Sequence, residues 1–116
     1  MEIPRSIRID TVDYTVEKKE RLIVGGKSAQ GCITYSKHLI EVEPDIQDEQ
    51  GMVQTLWHEI LHGIMEERAL DFKESSEETL INELSKGIYQ VIKDNADFIK
   101  RQIGIEEQVC GTKPEE

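Results

Sequence analysis

The chain has 116 residues, 24 acidic and 14 basic side chains, a net charge of −10 and 37% apolar residues. That is room for one domain around one modest core, and the excess of negative charge would repel phosphate backbones, which excludes a nucleic-acid partner. No apolar run approaches the ~18 residues of a membrane span, and Met1 to Arg5 lack the basic and apolar regions of a signal peptide, so the chain reads as cytoplasmic with no membrane partner.

The N-terminal part reads as β. Ile7 and Ile9 alternate with Arg8 and Asp10, and Tyr14 and Val16 alternate with Thr15 and Glu17, with Asp10–Asp13 short enough to be a hairpin turn. Leu22, Ile23 and Val24 run into the turn signal Gly25-Gly26. Further β segments cover Cys32 to Tyr35 and Leu39 to Val42, with His38 as an exposed strand residue between them. Pro44 ends the last one, because proline cannot donate to a sheet ladder. Cys32 and Cys110 are too few for a disulfide scaffold and form no C-x-x-C pair.

The remainder reads as helix. One helix spans about Asp48 to Ala69, its acidic start suiting the helix dipole. Ser75 and Ser76 offer N-caps for a second, running to about Arg101, in which Leu80, Ile81, Leu84, Ile88, Val91, Ile92 and Ile99 recur at helical spacing. Strands followed by helices predict an α+β domain: a small twisted N-terminal sheet packed on the first helix and a second long C-terminal helix. Residues 1–105 form the single domain, and 106–116 a polar acidic tail.

Chemistry enters at His58-Glu59-Ile60-Leu61-His62, an H-E-x-x-H sequence. Histidines four residues apart share a helix face, where one nitrogen of each reaches a common zinc ion at about 2.0–2.1 Å. Glu59 projects from the neighbouring face and can act as base toward the attacking water without ligating the metal. Val53, Leu56, Trp57, Ile60, Leu61 and Ile64 form one apolar arc, with both histidines just beyond its border. A catalytic zinc usually has three protein ligands. The third is not a later histidine of an extended motif, since Met65 and Arg68 occupy the glycine and histidine positions such a motif needs. An acidic residue of the second helix is the better candidate.

His58-Glu59-x-x-His62 followed by Glu78-x-x-Ile81-Asn82-x-Leu84-Ser85 resembles the gluzincin pattern of ImmA/IrrE-type metallopeptidases and of small phage and prophage proteins of that kind. The resemblance covers roughly residues 31–95, with Gly31 to Val42 similar to the edge strand before the active helix. It implies a minimal zincin-like fold, one zinc per chain, Glu78 as third ligand and Asn82 holding a histidine ring. Glu83 is the rival ligand, since Asn82-Glu83 resembles the ligand motif of larger thermolysin-like enzymes. Glu78 also fits a capping box with Ser75 as N-cap. The implied function is zinc-dependent hydrolysis of a protein or peptide substrate, which would lie extended along Thr34–Val42, with Tyr89 as a candidate oxyanion donor. The alternative is a non-catalytic zinc-binding interaction module of the same shape.

Overall fold

The computed structural model describes residues 3–104. The tail expected over 106–116 lies outside the described residues, as does Cys110. The architecture is α+β, in the order β1 (Ser6–Ile9), β2 (Val12–Lys18), β3 (Ile23–Val24), β4 (Lys27–Ser28), β5 (Gly31–Thr34), β6 (Leu39–Val42), α1 (Glu49–Glu67), α2 (Glu77–Asp94) and α3 (Ala96–Gln102). Among the described residues no helix is long and apolar enough to cross a membrane.

Four strands form one sheet in the order β1-β2-β6-β5, while β3 and β4 make a separate hairpin around Gly25-Gly26. β1 and β2 are antiparallel, β2 and β6 parallel, and β6 and β5 antiparallel. Alternation then assigns the two faces. Ile7, Ile9, Tyr14, Val16, Ile40 and Val42 are buried in the core shared with α1 and α2, whereas Arg8, Asp13, Thr15 and Glu17 are exposed on the other face.

The stretch Gly31 to Val42 is not one edge strand. A 3-10 turn at Tyr35–Lys37, closed by His38 in the left-handed region (φ 50°), reverses the chain and folds Leu39–Val42 back inside the sheet. His38 is therefore an exposed turn residue, its ring edge-on to Tyr14 at 5.3 Å. Because β6 is paired on both sides, it has no free backbone to offer a peptide, so the line expected along Thr34–Val42 does not exist as one strand edge.

The two sheet edges differ. On β1, Asn95 accepts from the Arg8 N–H (2.9 Å) and donates to the Arg8 carbonyl (3.0 Å). Gln90 accepts from the Asp10 N–H (2.7 Å) and donates to the Arg8 carbonyl (2.9 Å). That edge is closed. On β5, the Glu43 N–H donates to the Gln30 carbonyl (2.9 Å), so by the alternation of an antiparallel ladder Cys32 and Thr34 turn their backbone groups inward to β6. Gly31 and Ile33 turn theirs to the free edge.

Helix α1 starts at Asp48, whose carboxylate accepts from the Gly51 N–H at 2.8 Å. It buries Met52, Val53, Leu56, Ile60 and Ile64. At its far end the buried Tyr14 hydroxyl donates to Glu67 at 2.8 Å. The second helix is not continuous to Arg101: it breaks at Asn95 (φ −127°, ψ 53°), whose side chain bonds the Val91 carbonyl (2.8 Å) and the β1 edge instead of continuing the helix. Gly87 lets α2 lie close on α1, since a Cβ there would overlap Ile64. Arg68 ties both helices to the β1–β2 turn, bonding Glu83 at 2.7 Å and Asp10 at 2.9 Å. Of the apolar positions expected on α2, Val91 is buried, but Ile81, Ile88 and Ile92 are exposed, because α2 meets its neighbours along a narrow strip.

Candidate functional site

The H-E-x-x-H residues fall in the second half of α1, inside both ends, where the helix is anchored by its buried face. That face is rotated from the expected one. Leu61 is 42% exposed, while Glu59 is only 6% exposed and Gly63 is buried, because α1 lies on β5 and β6 as well as on β1. His58 and His62 are exposed on the outer side. Their ring centroids are 4.9 Å apart at an interplanar angle of 68°. The outcome is two solvent-facing imidazoles one turn apart, with a carboxylate between them in sequence that turns inward, toward β5.

Burial raises the pKa of Glu59, opposed by the attraction of His58 and His62. The carboxylate lies against the first residue of β5: a Cβ at Gly31 would sit 3.1 Å from Glu59 Oε2 and would overlap Thr55. A cavity of about 360 Å³ opens there between the start of β5 and the first half of α1, with His58 and Glu59 in its wall.

Tyr35, at the other end of β5, is half-buried. Burial raises its pKa, and so do the nearby charges of Glu66 and Glu59. Its hydroxyl therefore holds its proton at neutral pH. In the sequence it reads only as the last position of a strand, and the tyrosine singled out there is Tyr89. Tyr89 is 66% exposed on α2.

The acidic candidates on α2 separate. Glu83 is bound to Arg68, and that hydrogen bond is the main cause of its lowered pKa. Glu78 is exposed, and its carboxylate takes no hydrogen bond or ion pair among the described residues. It has no capping duty either. The N-cap is Ser76, not Ser75, and its hydroxyl accepts from the Thr79 N–H at 3.1 Å, so Thr79 occupies the position a capping box would give to Glu78. Asn82 is exposed.

The paired imidazoles and the adjacent carboxylate are donors suited to a borderline divalent ion such as zinc. The third donor is not assembled: among the described residues, no group of three or more histidine, cysteine, aspartate or glutamate side chains is placed to hold a metal ion. Comparison of the chain with protein-family models, curated proteins and solved structures gives no match.

Proposed function

We propose that the chain is a cytoplasmic zinc metallopeptidase that cuts a protein or peptide substrate, with Glu59 as general base and one zinc held by His58, His62 and Glu78. The observation that carries this reading is the contrast within one helical turn: two imidazoles in solvent and, between them in sequence, a carboxylate that is 6% exposed. A purely structural metal site has no use for a buried base beside its ligands. Glu78 is preferred to Glu83 because its carboxylate is unengaged, whereas Glu83 belongs to the Arg68 network. Recruiting it requires the first turn of α2 to close on the histidine pair.

Bound zinc supplies a Lewis acid that acidifies water and polarises a carbonyl. Glu59 takes the proton from the attacking water and returns it to the leaving amine. Its burial, which raises its proton affinity, suits both transfers. Tyr35 keeps its hydroxyl proton and is the donor for the oxygen on which charge develops. The substrate adds antiparallel to the free edge of β5, pairing with the outward groups of Gly31 and Ile33.

The test is Glu59→Gln. Zinc content should stay at the wild-type level while hydrolysis of a peptide mixture falls by about 10²–10⁴-fold. Equal hydrolysis by wild type and variant contradicts the proposal. The second reading, a non-catalytic zinc-binding interaction module, draws on the exposed Ile81, Ile88 and Ile92 of α2. It requires that neither protein cuts any peptide.

A further inference from the structure

The cavity beside Glu59 has a wall of unusual chemistry. Among the described residues no ionisable side chain lines it beyond His58 and Glu59, and three of its residues are glutamines: Gln30, Gln47 and Gln54. Gly31 keeps the space open, because any larger residue there would meet Thr55 and the Glu59 carboxylate.

Gln47 is held in one orientation. Its Nε2 donates to the Gln30 carbonyl (3.0 Å) and the Glu43 carbonyl (2.8 Å), and its Oε1 accepts from the Thr55 hydroxyl (2.7 Å). Both amide hydrogens are engaged, so Gln47 can offer a ligand only the remaining lone pair of Oε1. Gln30 and Gln54 are exposed, and their side-chain amides take no hydrogen bond among the described residues. The wall therefore presents one fixed acceptor and two adaptable amides. A carboxamide satisfies both kinds of group at once. A carboxylate meets that fixed acceptor and the Glu59 carboxylate in the same wall, and an aliphatic chain leaves the acceptor dry and unpaired.

Direction follows from the packing. β5 runs alongside α1 in the same sense, with Gly31 beside Thr55 and Glu59, and Ile33 beside Gly63. A peptide antiparallel to β5 runs the opposite way and reaches the cavity after it has passed Glu59. We infer that this cavity is a specificity pocket for a carboxamide side chain, Asn or Gln, on the substrate residue that follows the scissile bond. The inference rests on the peptidase reading and names its substrate class.

The experiment uses the full chain loaded with zinc and peptides from a proteome digested separately with trypsin and with a glutamate-specific protease, so that internal acidic and basic residues are both represented, with cut sites read by mass spectrometry. In parallel, binding of fluorescent peptides that differ only at this residue is measured on the zinc-loaded Glu59→Gln protein, which reports recognition without turnover. Asn and Gln should be enriched by about 10-fold or more after the cut site and should bind correspondingly tighter. Gln54→Lys should move the preference toward Asp and Glu, and Gln54→Glu toward Lys and Arg. Gln50→Lys, the same charge change outside the cavity, should leave it unaltered. Cleavage without preference at that position, or a preference that ignores both Gln54 variants, overturns the pocket and leaves the peptidase reading standing. Neither cleavage nor binding of any peptide overturns both.

Discussion

At the scale of single residues, burial separates carboxylates that look alike in the sequence. Glu43 is 2% exposed, and its oxygens accept from the Asp45 N–H (3.0 Å) and the Leu22 N–H (2.8 Å). These backbone donors hold its pKa below the ordinary carboxylate value, outweighing the cost of burial. A lowered pKa means stability that is complete above about pH 4.5 and is lost as the pH falls below it toward the folded-state value. Thermal unfolding against pH should show this loss, and Glu43→Gln should flatten the acid limb of the curve. An unchanged acid limb would mean that the Glu43 bonds do not favour the ionised form. Glu59 lacks such donors among the described residues, and its pKa moves the other way. Tyr35 is the second residue distinguished by its surroundings. Tyr35→Phe should lower kcat on a cleaved peptide by about 10²-fold with little change in KM, and wild-type kcat in that variant would remove Tyr35 from the chemistry. The H-E-x-x-H spacing was plain in the sequence. The inward turn of Glu59 was not, because it depends on β5 lying over that flank of α1.

At the scale of elements, most strands and α1 were legible to within a few residues, since alternation, Gly25-Gly26 and the acidic start of α1 are local signals, while the short β4 was not. Two errors have one cause, long-range contacts. Thr34 and Leu39 both carry β patterning, and only their mutual pairing reveals the reversal between them. Asn95 sits within a helical pattern, yet its side chain has a better partner in the backbone of Arg8, 87 residues away. Asn95→Ala removes that partner and bares the β1 edge. It should cost roughly 2 kcal/mol, read as a fall in Tm of about 10 °C. A Tm within a degree or two of wild type would show that Gln90 alone protects the edge.

At the scale of the molecule, the sheet has one closed edge and one open edge, and Gly31 at the start of the open one lies against Glu59. That asymmetry gives the proposed site its substrate track without any dedicated loop. α2 was expected to bury a full apolar face, and periodicity alone could not reveal that Ile81, Ile88 and Ile92 stay outside while Val91 goes in. The preference for Glu78 over Glu83 was drawn from the sequence without sight of the Arg68–Glu83 bond, which joins residues 15 apart.

The account stands on His58 and His62 sharing one ion. The direct measurement is zinc content by mass spectrometry after the protein is stripped with chelator, reloaded and desalted, for wild type and for His58→Ala/His62→Ala. The prediction is about one zinc per chain in the wild type and none in the double variant. Equal zinc in both proteins, or none in the wild type, would contradict it.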